Sequence, residues 1–113
     1  MKKSKRTKKS NTWKIKQHRD QFYKKSKTLG YRSRSAFKLI ELNLKYKFIK
    51  KNTKLLDIGA SPGGWSQVSS KIITSGKILS LDLKKMTKLK NVSFLQANFL
   101  EENTKKKIFE FFG

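Results

Sequence analysis

The sequence predicts an α/β domain built on the opening part of a parallel sheet. Three observations carry that prediction. Three short apolar runs, at 54–58, 78–82 and 92–96, have the length and flanks of buried strands. Segments with helical spacing separate or follow them, at 64–74 and from Glu101 to about Phe112. A glycine-rich break, Gly59 to Gly64, lies between the first strand and the first of these helices. Strands alternating with helices make an open sheet covered by helices.

The elements follow in order. Residues 1–11, MKKSKRTKKSN, hold six basic residues and no large apolar one after Met1, and read as a disordered cationic arm. Thr12 can cap a helix running to about Lys27, whose Trp13, Ile15, Phe22 and Tyr23 give a patchy apolar face. Leu29-Gly30 breaks it. Ser33 or Ser35 then offers an N-cap, and Ala36, Leu39, Ile40 and Leu44 fall on one helical stripe, with Lys38 off its centre. The 54–58 run ends at Gly59. In the 64–74 helix Val68, Ile72 and Ile73 point inward, and Ser75-Gly76 stops it. In the last helix Glu101 and Glu102 open the first turn and Lys105 to Lys107 follow, which suits the helix dipole. Its Ile108, Phe109, Phe111 and Phe112 are strongly apolar. The domain division that results is an arm at 1–11, a basic helical segment at 12–50 and the sheet-bearing part at 51–113.

Composition narrows the function. The chain has 113 residues, 29 of them Lys or Arg against seven Asp or Glu, for a net charge of +22. There is no Cys and one His, so disulfides, thiolate zinc sites, cysteine nucleophiles and His-rich metal sites are excluded, and no metal is expected. No apolar run approaches the roughly 18 residues of a membrane span. No apolar stretch follows the basic start as a secretory signal would require, so a cytoplasmic protein that seeks polyanions is expected. The Lys to Arg ratio of 25 to 4 is what an AT-rich gene produces on its own. Codon bias does not explain the asymmetry: residues 1–54 carry 20 basic and two acidic side chains, and 55–113 carry nine and five. A basic face attached to a nearly balanced folded unit points to nucleic acid.

The most informative stretch is 57–67, Asp-Ile-Gly-Ala-Ser-Pro-Gly-Gly-Trp-Ser-Gln. It leaves the first strand and opens a helix, the place where open α/β sheets bind ligands. Gly59 permits a tight turn, and Pro62, Gly63 and Gly64 bring backbone close to a ligand. A dinucleotide fingerprint would need glycine at Ser61. A phosphate loop would need lysine at Trp65, although Gly59, Gly64 and Ser66 have its spacing. A nucleoside ligand without phosphates, such as S-adenosylmethionine, fits better. Asp82 stands at a second strand end, 23 residues after Gly59, where a carboxylate accepts from ribose hydroxyls. Asp57 can either organise the loop by taking backbone N–H bonds or face the ligand's ammonium group. A ligand-free Gly-rich turn is the competing reading, and Asp82 together with the Pro-Gly-Gly-Trp run weighs against it.

The block Gly-Tyr-Arg-Ser-Arg-Ser-Ala-Phe-Lys-Leu at 30–39, followed by the 57–67 block, resembles the FtsJ-like ribose 2′-O-methyltransferases over about residues 12–100. The two blocks together are specific to that family. The resemblance implies a Rossmann-like S-adenosylmethionine-dependent fold, here truncated after about three strands. It also implies methylation of a ribose 2′-oxygen, on a uridine of large-subunit ribosomal RNA, with the large ribosomal subunit as partner. Gly63, Trp65 and Asp82 match the family's cofactor contacts. Lys38 matches the first member of its Lys-Asp-Lys-Glu catalytic set. Asn98 stands where close relatives carry an Asp that addresses the adenine, and its carbonyl can still accept. By the same resemblance the catalytic Asp, second Lys and Glu lie on strands beyond the third, past Gly113. An inactive RNA-binding remnant and a small basic ribosome-associated protein are the alternative readings, and the 57–67 loop disfavours the second.

A lysine beside the 2′-oxygen can stabilise the developing alkoxide or take its proton. On its own, Lys38 is also simply one of 25 lysines, a solvated basic residue. Arg32 and Arg34 can grip phosphates bidentately, and Lys14, Lys16, Arg19, Lys24 and Lys25 extend the track. Trp13, Phe22, Tyr23 and Tyr31 offer stacking faces for splayed RNA, or ordinary packing, with equal weight.

Overall fold

The structure, a computed structural model, describes residues 30–113. The arm at 1–11, the helix expected at 12–27 and the track residues Lys14, Lys16, Arg19, Lys24 and Lys25 lie outside the described residues.

Six elements follow in chain order: α1 (Ser35–Tyr46), β1 (Lys54–Ile58), α2 (Gly64–Ile72), β2 (Lys77–Asp82), β3 (Ser93–Gln96) and α3 (Glu102–Phe112). The strands form one parallel sheet in the order β1-β2-β3, with Leu56 beside Leu79 and Leu81 beside Leu95. β2 is the central strand of the three, and four of its six residues are buried, a continuous apolar-rich run interrupted only by Ser80.

Alternation along the strands sorts the core into two layers. On one face Ala36 and Leu39 of α1 and Val68 of α2 pack with Ile49, Ile73 and Ile78, and Leu55 joins them. On the other, Ile108 of α3 packs with Leu79 and Leu81, flanked by Leu56, Leu95, Phe111 and Phe112. The β1 strand and the Ala36-Leu39 stripe stand where the sequence places them. Leu44 does not: it is 74% exposed, because the chain turns at Lys47 in the left-handed region. The inward contact at that level is polar. Asn43 clamps the returning chain, accepting from the Ile49 N–H at 2.8 Å and donating to the Ile49 carbonyl at 3.2 Å.

Other boundaries shift slightly. Arg34, not Ser33 or Ser35, occupies the N-cap of α1, without a side-chain cap bond; the two serine hydroxyls bond each other at 2.7 Å. The α2 helix stops at Ile72, and Val92 stays outside β3. Phe109 faces solvent at 77% exposure, unlike Ile108, Phe111 and Phe112.

The connection between β2 and β3 has no helix. A parallel crossover usually contains one. Instead an irregular stretch at 83–92 returns to the start of β3, and its Lys85, Thr87 and Lys88 carbonyls bond Ser61 and Arg32 beside the loop that follows β1.

Candidate functional site

Ser33, Ser35, Asp57, Ile58, Gly59, Ala60, Ser61, Pro62, Gly64 and Trp65 line a cleft of about 240 Å³. It lies outside the carboxyl end of β1, between the starts of α1 and α2. Each wall has a local cause. Gly59 turns the chain off the strand with φ of +72°. Its N–H and that of Ala60 both donate to the Leu81 carbonyl, at 2.8 and 3.0 Å, which ties the turn to β2. A Cβ built on Gly59 meets nothing within 4 Å. A side chain there would project into open space, so Gly59 is where the cleft depends on glycine. Gly64 has a different reason: a Cβ would collide with the Ser33 hydroxyl, so glycine lets the two helix starts approach closely.

Asp57 organises the loop and also lines the cleft. Its carboxylate accepts from the Ser66 hydroxyl at 2.6 Å and from the Ser66 backbone N–H, and Ser66 in turn bonds Ser80 across the sheet. A carboxylate thus holds the first turn of α2, where the helix dipole favours negative charge. Burial pushes the Asp57 carboxyl above the usual carboxylate range, opposed by the two bonds from Ser66.

Asp82 moves the other way. One oxygen accepts from the Lys84 N–H at 2.9 Å and the other from the Ser61 N–H at 2.8 Å. The Lys84 and Ser61 amides hold its pKa below the ordinary value. The Leu83 amide adds a third bond, which leaves the carboxylate one acceptor site.

Arg32 departs from the sequence reading. It is not splayed toward solvent as a phosphate clamp. Its guanidinium donates to the carbonyls of Pro62 at 3.2 Å, Thr87 at 2.6 Å and Lys88 at 3.1 Å. Its backbone N–H donates to Gln67 Oε1 at 2.9 Å, and Gln67 donates back to the Gly30 carbonyl. Arg32 therefore staples the Gly-rich loop to the 83–92 connection, a use of the guanidinium fork that lysine cannot copy. Gly63, with φ of +115°, serves this staple: a Cβ there would press on Arg32 and Met86, so it does not face the cleft. Arg34 is exposed and makes no such contact.

The remaining expected residues fall around the cleft. Trp65 lines it, 40% exposed, and its indole N–H donates to the Ser35 carbonyl at 3.0 Å. Lys38 is exposed on α1, three residues beyond the cleft residue Ser35 and so on the same helix face. Asn98 is outside the cleft, at the end of β3; its side-chain oxygen accepts from the Leu100 N–H at 3.0 Å, which shapes the turn into α3. Tyr31 is half-buried, edge-on to Phe37 at 5.3 Å and under the Lys71 ammonium at 4.4 Å, so packing wins over a free stacking face. The sequence reading missed Ser33, Ser35, Gln67 and Ser80. Ser33 and Ser35, inside the 30–39 block, and Gln67, inside the 57–67 block, carried a signal; Ser80 carried none.

Comparison with known proteins adds to this geometry. The FtsJ-like methyltransferase family model matches residues 31–113. Ribosomal RNA large subunit methyltransferase E of Rickettsia canadensis (strain McKiel) is 43% identical over 112 residues, 94% of this chain and 49% of its own. The chain belongs to the FtsJ-like methyltransferase family. Ribosomal RNA large subunit methyltransferase E of Pelagibacter ubique (strain HTCC1062) is 41% identical over 99 residues, covering 88% of this chain and 49% of its own. A solved ribosomal RNA methyltransferase from Plasmodium falciparum superposes with a TM-score of 0.61 at 41% identity, over 72% of this chain and 49% of that one. The three-stranded parallel sheet is thus part of the FtsJ fold, and the chain spans about half the length of the relatives it matches. Among the described residues no helix is long and apolar enough to cross a membrane, and no group of three or more His, Asp or Glu could hold a metal.

Proposed function

We propose that this chain binds S-adenosylmethionine in the cleft at the end of β1 and serves 2′-O-methylation of a uridine ribose in large-subunit ribosomal RNA, in the cytoplasm. The observation that carries the reading is the open space beside Gly59, walled by the Gly-rich loop, in a family of ribosomal RNA methyltransferases. The residues present suit such a ligand. The cleft combines backbone at Gly59 to Pro62, the Asp57-anchored start of α2 and the Trp65 indole, with Asp82 and Asn98 along the same strand ends. S-adenosylmethionine, when bound, supplies an activated methyl group.

The chain's own residues then have distinct tasks. Asp57 and Arg32 keep the loop in shape, Trp65 gives the cleft an aromatic wall, and Asp82 holds the loop while offering its remaining acceptor site to a ribose. Lys38 presents an ammonium one turn from the cleft mouth, where it stabilises the negative charge developing on a ribose 2′-oxygen. Arg34, with Lys14, Lys16, Arg19, Lys24 and Lys25, contacts RNA phosphates.

Calorimetric titration of the chain with S-adenosylmethionine, and with ATP and NAD as controls, tests the ligand. Saturable binding of the first alone is expected; binding of ATP or NAD instead overturns the reading. Transfer of a tritiated methyl group to undermethylated large subunits tests the reaction. The 2′-position is read by resistance of the adjacent phosphodiester to alkali.

A further inference from the structure

The 83–92 connection carries charge that the cleft does not use. From Leu83 to Ala97 there are four lysines, Lys84, Lys85, Lys88 and Lys90, and no acidic residue. All four are exposed, and none of their ammonium groups has a hydrogen-bond or ion-pair partner among the described residues. Several other lysines of the folded part are occupied. Lys54 and Lys77 donate to the last carbonyls of α3, Lys71 covers Tyr31, and Lys105 reaches Glu102 at 3.4 Å.

The way the connection is held explains the display. Its main-chain carbonyls are turned toward the site: those of Thr87 and Lys88 accept from Arg32, and that of Lys85 accepts from the Ser61 hydroxyl at 3.3 Å. With carbonyls fastened inward, the lysine side chains stand in solvent. The anchors, Arg32 and Ser61, belong to the cleft walls or their staple. An irregular, helix-free crossover is thus made firm by contacts to the site.

We propose that the 83–92 connection is a second RNA-contact surface, in which Lys84, Lys85, Lys88 and Lys90 take backbone phosphates next to the cleft. The inference rests on the reading that RNA is the partner, and it puts that contact on the balanced half of the chain. A phosphate backbone suits the surface because four point charges within seven residues, with Asp82 beside Lys84 the one flanking acid, match a polyanion with closely spaced charges. Within the 83–92 connection Leu83 is the one exposed large apolar side chain, too little to enter a lipid layer. The tie through Arg32 places bound RNA on the same rigid unit as the Gly-rich loop.

The test uses the full chain, a structured fragment of large-subunit ribosomal RNA and no cofactor. The variant K84Q/K85Q/K88Q/K90Q is compared with K105Q/K106Q/K107Q on α3. Binding is followed by anisotropy from about 50 to 200 mM salt, where phosphate contacts have their steepest effect. The connection variant is expected to lose at least tenfold in affinity at the lower salt, and its log–log salt slope to fall by about 3. The α3 variant should keep most of the wild-type slope. Equal losses per lysine in both variants would overturn the proposal, since net charge alone would then suffice. A second reading needs no variant: amine acylation of the wild type, mapped by mass spectrometry, should be blocked by RNA at Lys84 to Lys90 and not at Lys105 to Lys107. Unchanged acylation there, or protection by anionic phospholipid vesicles and not by RNA, also overturns it. Neither reading involves S-adenosylmethionine, so failure of the cofactor assignment and failure of this surface are separately visible.

Discussion

The two ends of the sheet use similar residues for opposite purposes. At the amino ends of the strands, charge and glycine close the structure. The Lys51 carbonyl collects the N–H groups of Thr74, Ser75 and Gly76, at 3.0, 2.8 and 3.1 Å. Lys54 and Lys77, adjacent in register, donate to the Phe112 and Phe111 carbonyls, ending α3 on positive charge as its dipole prefers. At the carboxyl ends, hydrogen bonds tie loop to loop, Arg32 and Asp82 being the knots, yet a cleft stays open between α1 and α2. Both ends are firm. Only one is built around space, because there the chain leaves each parallel strand outward and the helix starts splay around the gap.

Glycine substitutions separate the ends most sharply. A Cβ on Gly76 would coincide with the Thr53 carbonyl oxygen, a backbone atom that cannot move aside. Gly76→Ala is expected to cost about 3 kcal/mol, the upper range for overpacking. Thermal unfolding followed by circular dichroism should show a fall of roughly 10 °C or more. Gly59→Ala enters open space and meets only the left-handed φ, a cost of about 1–2 kcal/mol. Its main effect should be at least a tenfold loss of S-adenosylmethionine affinity. If Gly59→Ala bound normally, the open end would lose its claim to be the ligand site.

The paired arginines come next. Arg32→Ala removes three bonds to carbonyls and is expected to cost about 1 kcal/mol and to speed amide exchange around 60–65 and 84–90. Arg32→Lys should restore little, since a compact ammonium, although it has three N–H donors, lacks the planar fork that spans the Pro62, Thr87 and Lys88 carbonyls. Arg34→Ala should leave exchange untouched and lower only RNA affinity. The reverse pattern would return Arg32 to the phosphate track.

The smallest effects concern pH. Asp57, raised by burial, contributes stability below the ordinary carboxylate value that is lost as pH rises through its own higher value. Asp82, lowered by the Lys84 and Ser61 amides, contributes stability above the ordinary value that is lost as pH falls through its lower one. Denaturant titrations across the acid range should therefore move oppositely: Asp82→Asn loses stability near neutral pH, whereas Asp57→Asn loses it least there. Identical pH profiles in the two variants would show that the two carboxylates are not in different surroundings.

Much of this was legible in the order of residues. The strand at Lys54–Ile58, the helix stripe at Ala36 and Leu39, the Gly-rich turn and the carboxylate at the second strand end all depend on local pattern, period and conformational preference. The family resemblance rested on the same contiguous blocks. Leu44 broke its stripe because a turn at Lys47, not periodicity, decides where α1 leaves the core.

Tertiary structure alone decided partners that are distant along the chain. Nothing near Arg32 in sequence indicates that its guanidinium is spent on Pro62, Thr87 and Lys88, 30 to 56 residues away. Nor does the spacing of Gly63 and Gly59 tell which one faces a side chain and which faces the cleft. Nor does the sequence show that Asp57 lines the cleft while one of its oxygens is held by Ser66. Local preference is written in neighbours a few residues apart, and it determined the elements and the site's position. Which donor meets which acceptor depends on how those elements pack, because a buried polar group takes whichever partner the assembled layers bring within about 3 Å.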